Sequence, residues 1–540
     1  MMYLYFFFIS FSLVGYGFLV GKLLNIKSSS IGIYGILGIT FACSFSFLSS
    51  IFFSHGIFFN LFFWIVGLIF IFIFSKKVPD LKKEIIPFFI VFFILIIFIT
   101  VGKNHDDFPY YHFPYAVFLT EFSHPIGFGQ FNNGFRSPSS IFFLSSMFHL
   151  PVVGVYLFHI SSALILGFSN LVLINFIFNK KFFNESRYIN FLSLISFVFI
   201  NIFFYRLAEH GTDRSGMILT IICLILFIYL INCKQNYENL YLMKFLIIII
   251  CFVATIKPFY LINLPILFLF LFYQNTIDFF LKLFFSKTFF YCIILLIFTI
   301  FFTFINSGCL VYPATFLCFE NFSWSLSNEE IDKVNIWFEL WSKGGANPNY
   351  IVENRLDYIA NFNWLANWLD IYFFNKVSDY LAGLFFLIFI IFLSFYKKEK
   401  NKLYDVRFIS VYFFIFLLFC EWFLKHPSLR YGGYHLIALM VFIPLSIYLS
   451  KFKFIFKDFT NRAFLIITVT LLIFILRNGI RLNDEFMKYN YNPLINTNYK
   501  FIGGDKNFYL RYNNHFKKFE TEYPWFNFLG KKIYITILNN

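Results

Sequence analysis

Charged residues make up only 13% of the 540-residue chain, about half of what an ordinary soluble domain carries. Any cluster of them is therefore a candidate for chemistry. The densest acidic start is Gly102-Lys103-Asn104-His105-Asp106-Asp107-Phe108-Pro109-Tyr110-Tyr111-His112-Phe113-Pro114, which follows an apolar run. Asp107 before Phe108-Pro109 suits a helix N-cap with proline in the first turn, and Tyr111 then falls one turn on along the same face. A carboxylate held at a membrane surface is available as a general base or a cation ligand. The alternative is an N-cap beside a solvated acid.

A second cluster is Arg206-Leu207-Ala208-Glu209-His210-Gly211-Thr212-Asp213-Arg214, with five ionisable residues in nine positions. Two arginines suit bidentate recognition of phosphate, and Glu209, His210 and Asp213 suit positioning of an acceptor or a cation. Against this stands an interfacial ion-pair cluster capping two helices. Ionisable groups near a bilayer are costly and tend to mark sites, which favours function. Lys257-Pro258 and Lys425-His426-Pro427-Ser428-Leu429-Arg430-Tyr431 complete the set. Lys257 and Arg430 could contact phosphate at headgroup depth, or simply snorkel to lipid. Glu421 and Lys425 have the spacing of a helical ion pair.

The elements that must carry these residues are hydrophobic helices. The chain is 59% hydrophobic with mean hydropathy +0.73, and a bilayer span takes about 20 apolar residues. Apolar runs predict an all-α polytopic membrane protein of about 14 transmembrane helices, with interfacial helices in its outer loops. The transmembrane domain covers residues 1–480, including outer loops 102–138 and 306–377, and a short tail covers 481–540. The 92 phenylalanines reflect a bias in nucleotide composition more than function. Cys309 and Cys318 sit together in a polar region and could form a disulfide on an oxidising face.

Alternating the spans sorts the charge. One set of loops and ends carries 22 basic and 8 acidic residues, the other 21 and 20. Nearly all of the +15 net charge thus lies on one side, which the positive-inside rule makes cytoplasmic. Both termini and the chemically varied loops then face outward, across a plasma (inner) membrane. The charge is an orientation signal, so nucleic acid is not a partner. The basic loops are short and hold no Gly-rich phosphate loop, which argues against a reaction driven by cytoplasmic nucleotides. Loop 306–377 holds tryptophans 324, 337, 341, 364 and 368 among acids. That composition suits interfacial helices or a surface on which sugars stack.

The layout from about residue 85 to 435 resembles the GT-C superfamily of membrane glycosyltransferases. Asp107, Tyr111, His112 and Pro114 stand as Asp-x-x-x-Tyr-His-x-Pro in the first large outer loop. The chain continues through Arg136 into an apolar helix. Gly211-Thr212-Asp213 follows in the next outer loop, and Gly308, Tyr312 and Pro313 form a Gly-x-x-x-Tyr-Pro element. The resemblance implies a GT-C-like fold and transfer of a sugar, with inversion, from a polyprenyl-phosphate carrier to a hydroxyl on the outer face. Asp107 would be the base, with Asp106 its partner or alternate. Arg206, Arg214, Lys257 and Arg430 would hold the donor phosphate, with His112, Glu209, His210 and Asp213 beside them. Some members use a divalent metal such as Mg or Mn. This chain lacks the large soluble C-terminal domain of some members, which favours a glycolipid or envelope glycan acceptor over a protein. Two competing expectations are a transporter or flippase of lipid-linked saccharide, kept open by Asn201, Asn263 and Pro265, and an outer-face polymerase or ligase. The eight acids and four basic residues of loop 306–377 weaken the last.

Overall fold

The computed structural model describes residues 1–75, 81–100, 107–233, 239–347, 349–399, 406–489, 525–528 and 531–535. It is built almost wholly of helices. The first is α1 (Met2–Leu24), and it packs on α2 (Ile31–Phe52) and α3 (Ile57–Phe74). A Cβ added at Gly38 would stand 1.8 Å from the Leu13 carbonyl oxygen, and one added at Gly17 would stand 1.8 Å from that of Tyr34. Glycine at these two positions lets the α1 and α2 backbones touch, a common device where lipid removes the hydrophobic drive between helices.

The chain continues through α4 (Leu81–Leu95), then α5 (Phe113–Glu121) and α6 (Ser140–Ser146), two short helices whose Tyr115, Phe118, Phe142 and Phe143 pack with Phe47 and Phe302 in an aromatic core. The centre is formed by α7 (Ser161–Ile177), α9 (Arg187–Phe203), α10 (Leu207–Asn232) and α11 (Leu240–Ile256), with the short α8 (Lys180–Glu185) between the first two. These central helices are apolar on nearly every side and almost entirely buried, as expected of helices surrounded by others. Two of their buried polar side chains pair across helices. Asn170 and Asn201 donate amide hydrogens to each other's carbonyls at 3.0 and 2.9 Å, joining α7 to α9.

A 15-residue 3₁₀ helix, Pro258–Phe272, follows α11. Beyond it come α12 (Gln274–Leu283) and α13 (Lys287–Ser307). The polar segment then carries α14 (Asn328–Lys343), α15 (Arg355–Ile359) and α16 (Leu365–Trp368). The last helices are α17 (Ser378–Phe395), α18 (Ile409–Lys425), α19 (Gly433–Ser450) and α20 (Phe456–Tyr489). A hairpin of β1 (Trp525–Phe528) and β2 (Lys531–Tyr534) lies against the loop after α5, where Ile126 N–H donates to the Tyr534 carbonyl at 3.0 Å. The outward faces of α3, α13, α17 and α20 expose Phe62, Phe72, Phe290, Ile297, Phe385, Phe389, Leu465 and Leu476, which is lipid-facing chemistry.

Among the described residues eight helical stretches are long and apolar enough to cross a bilayer, and four further apolar helices are shorter. The chain is thus a multi-pass membrane protein. The expected fourteen spans are not reproduced, for local reasons. Pro87 lies within the 15-residue α4, residues 151–160 form turns ahead of α7, and Lys257-Pro258 separates α11 from the 3₁₀ helix. Three expected boundaries also move. Residues 207–214 are helical, not loop. The polar segment 306–377 ends early, because a continuous helix begins at Leu365. Before the tail, α20 runs on to Tyr489. In the last two cases charged residues interrupt the apolar run without interrupting the helix, whereas in the first the helix is broken at Gly211. Cys309 and Cys318 are disulfide-bonded.

The close approach of α1 and α2 is testable. Gly38→Val should lower the detergent melting temperature, at a cost of about 1–3 kcal/mol typical of overpacking. Gly479→Ala, where an added Cβ meets nothing within 4 Å, should change it far less.

Candidate functional site

Four ionisable side chains far apart in sequence meet at one end of the helices. The Arg430 guanidinium donates to two carboxylates, through Nε to Asp213 Oδ2 at 2.5 Å and through Nη2 to Asp107 Oδ2. The Lys257 ammonium donates to the other Asp213 oxygen. Two acids and two bases give a cluster with no net charge, which suits a site bordering lipid.

Local sequence explains each position. Asp107 stands at the N-cap of a π-helical turn, Phe108–His112, with proline at its start. It makes no side-chain capping bond there, and its carboxylate goes to Arg430 instead. Tyr111, expected one turn on, is beside Asp107, Arg430 and Asp213. Burial first, then the Asp107 charge, pushes the Tyr111 phenol well above its ordinary range, so it remains a neutral O–H donor.

Asp213 follows a break in α10 at Gly211, whose backbone is not helical. The helix resumes there, so Asp213 lies in a new first turn, where the helix dipole favours a carboxylate. His112 packs close to Gly211, 3.7 Å from where a Cβ would sit, and lies buried against Tyr111 and Phe142. Lys257 closes α11 immediately before Pro258. One turn on, the Tyr260 hydroxyl donates to the Asp213 carbonyl at 3.0 Å.

Arg430 sits on a short 3₁₀ turn, Leu429–Tyr431, and Gly432 (φ 129°) lets the chain reverse into α19. Three side chains pin this loop. Trp368 Nε1 donates to the Pro427 carbonyl at 2.9 Å, Trp422 Nε1 to that of Ser428 at 2.7 Å, and the Tyr372 hydroxyl accepts from Leu429 N–H at 3.0 Å. Burial alone would weaken the Arg430 charge, but Asp213 and Asp107 outweigh it and raise its pKa well above the ordinary value.

Of the ten residues singled out in sequence, Asp107, Asp213, Lys257 and Arg430 are brought into direct contact, with His112 nearby. Arg214 faces a different set of groups. Its guanidinium lies over the rings of Phe204 and Tyr434, 5.2 and 5.8 Å from their centroids. Adjacent helical residues point about 100° apart, so Asp213 and Arg214 serve different faces. Arg206 is at the N-terminal boundary of α10. Asp106 and the side chains of Glu209 and His210 lie outside the described residues. Lys425 reaches Glu339 of α14 at 3.8 Å, not Glu421.

Tyr260, unmarked by any sequence pattern, and Tyr431, beside Arg430 in the chain, also belong to this neighbourhood. Lys257 lies over the Tyr431 ring at 5.8 Å, and Trp341 of α14 packs on the other side of this neighbourhood, 5.3 Å from Tyr431. For Tyr260 the available signal was its proximity in sequence to Lys257. The tryptophans divide. Trp364 and Trp368 are buried and structural, whereas Trp337 is exposed. Arg136 pairs with Glu330 and so ties α14 to the loop after α5.

Among the described residues no group of three or more His, Cys, Asp or Glu is disposed to hold a metal ion. Asp107 and Asp213 are paired with two cationic side chains in this arrangement.

A family model for a domain of unknown function (DUF8201) matches residues 1–437. The chain belongs to this family. The match takes in all four residues of the cluster. No curated protein and no solved structure matches the chain.

Removal of Asp213 would leave Lys257 and Arg430 short of a partner. Asp213→Asn should destabilise the protein by about 3–5 kcal/mol, the scale for breaking a buried pair, read as a lower melting temperature in detergent. Arg214→Gln, over the Phe204 and Tyr434 rings, should cost less. Equal melting of wild type and Asp213→Asn would contradict a structural role for the cluster.

Proposed function

We propose that this protein is a membrane glycosyltransferase of GT-C type. It moves a sugar from a polyprenyl-phosphate carrier to a hydroxyl of a glycolipid or envelope glycan, with inversion, on the outer face of the plasma membrane. The observation that carries this reading is Arg430 shared between Asp107 and Asp213, with Lys257 alongside. A base and two phosphate-binding cations in contact are what such a transfer needs. The Asp-x-x-x-Tyr-His-x-Pro block and the one-sided basic charge support it further.

The roles follow from chemistry. The Asp107 carboxylate accepts the acceptor's hydroxyl proton. The acceptor oxygen bonds to the anomeric carbon as the bond from that carbon to the phosphate oxygen breaks with its electron pair. Arg430 and Lys257 hold the departing phosphate. Negative charge leaves Asp107 and appears on phosphate, beside the guanidinium that holds it. Tyr111 supplies a neutral O–H beside the base, and His112 shapes that wall. Trp337 and Trp341 offer ring faces on which sugar can stack. No step is routed through a metal.

A second reading, a transporter of lipid-linked saccharide, draws on the break at Gly211 and the long 3₁₀ helix containing Asn263 and Pro265, since transporters place sites at broken helices. Asn201, by contrast, is engaged by Asn170.

Membranes containing the protein, given polyprenyl-phosphate sugars and extracted glycolipid, should form new glycosidic bonds. Asp107→Asn should reduce transfer by about 10²–10⁴-fold, the usual worth of a general base. Full transfer by Asp107→Asn would remove the proposed base. Labelled saccharide crossing the bilayer without a new bond would instead favour the transporter.

A further inference from the structure

Building on the transferase reading, we propose that the donor phosphate itself activates Asp107. It displaces the Asp107 carboxylate from Arg430, and the released carboxylate becomes competent to take the acceptor proton.

The two carboxylates on Arg430 are not equivalent. The Asp213 side chain is 4% exposed, is held by both Arg430 and Lys257, and its backbone carbonyl accepts from Tyr260. The Asp107 side chain is 24% exposed, and Arg430 is the only one of the two cations to which it is ion-paired. Asp213 is therefore the fixed anchor, and Asp107 is the ligand that can be exchanged. Arg430 and Lys257 are each about a quarter exposed, so both present surface to an incoming anion.

Charge and basicity favour the exchange. A carboxylate tied to a guanidinium has lowered proton affinity, so Asp107 paired with Arg430 is a poor base. The cluster is neutral before donor binds. A phosphodiester adds a negative charge beside lipid, where an unbalanced charge is costly. Guanidinium forks match phosphate oxygens well. Replacing the Asp107–Arg430 pair with a phosphate–Arg430 pair keeps the cation matched and restores basicity to Asp107. Donor then binds before acceptor, and a proton is taken only when a leaving group is in place. The step balances: Asp107 gains the proton that the acceptor hydroxyl loses, and the phosphate keeps the electron pair of the broken bond.

The test is binding, which is separate from turnover. The full chain in nanodiscs is titrated with polyprenyl monophosphate. Asp107→Asn, and Asp107→Ser as a second variant, should bind it about tenfold more tightly than wild type, because the competing carboxylate is gone. In an Arg430→Gln background the same change should have little effect. Unchanged or weaker binding by both Asp107 variants overturns the proposal. Equal tightening with and without Arg430 also overturns it, since simple charge removal then suffices. Inorganic phosphate and phosphatidic acid vesicles serve as parallel probes. A gain confined to polyprenyl phosphate supports exchange by a lipid-borne phosphate, and a gain shared with inorganic phosphate supports exchange by phosphate as such. Wild-type sugar transfer without any gain in Asp107→Asn binding would keep the transferase and remove the exchange. Tighter binding in a protein that transfers no sugar would do the reverse.

Discussion

One guanidinium organises this end of the molecule. Arg430 holds Asp107, from the first third of the chain, and Asp213, from its middle, while Lys257 closes the second carboxylate. Near a bilayer an unpaired charge costs several kcal/mol, so these groups must find each other or stay in water. The rest of the local architecture serves the meeting. Gly211 restarts α10 so that Asp213 lies at a helix start, Pro258 ends α11 just past Lys257, and Trp368, Tyr372 and Trp422 fix the loop that presents Arg430. Those three rings come from α16, the π-helical stretch after it, and α18, so these elements support the site through the loop they pin.

The ionisable residues were legible because the chain has so few of them. Asp107, Asp213, Lys257 and Arg430 all stand out in sequence by type and context. Their partnership was not legible, because it joins segments up to 323 positions apart that no local pattern relates. Helical phase was the missing clue for Arg214. Read as a loop, residues 206–214 make Arg214 and Asp213 equal candidates. Read as a helix, they point Arg214 and Asp213 about 100° apart, and Arg214 lies over Phe204 and Tyr434. The tryptophans of the polar segment mislead in the same way. Composition suggests an interfacial belt, whereas Trp364 and Trp368 are buried and one of them supports the Arg430 loop.

Apolar runs reveal helices well and their ends poorly. Hydropathy averages over a window, so Asp370 and Lys376 conceal the helical start of the α17 span, and Arg481 and Glu485 conceal the end of α20. In the latter the two charges pair one turn apart at 3.1 Å, which keeps the helix intact while lowering its hydropathy. The phenylalanine excess illustrates the converse. Phe rings fill the interior, as at Phe47, Phe143 and Phe302, and also cover the outward faces of α3 and α17. A residue used equally in core and lipid face carries little positional information, so its abundance marks the membrane and says nothing of the site.

The difference between the two carboxylates gives the cluster its directionality. If Asp107 and Asp213 were equally buried, an incoming anion would have no preferred place, and every exchange would cost the same. Asp213 is instead tied by both Arg430 and Lys257 within a helix and is nearly buried, while Asp107 stands on a short π-helical turn and is about a quarter exposed. Displacing Asp213 would leave two cations to be matched and a nearly buried carboxylate to be solvated. Displacing Asp107 gives up a partly exposed pair with Arg430, which costs less than uncovering the nearly buried Asp213. In the proposed transfer, charge then moves from Asp107 to phosphate around a guanidinium that need not move. Fixed dipoles and charges that stay put while charge shifts past them are the most effective form of electrostatic catalysis. The buried pair makes that possible, because Asp213 holds Arg430 in place at the moment its other partner is exchanged.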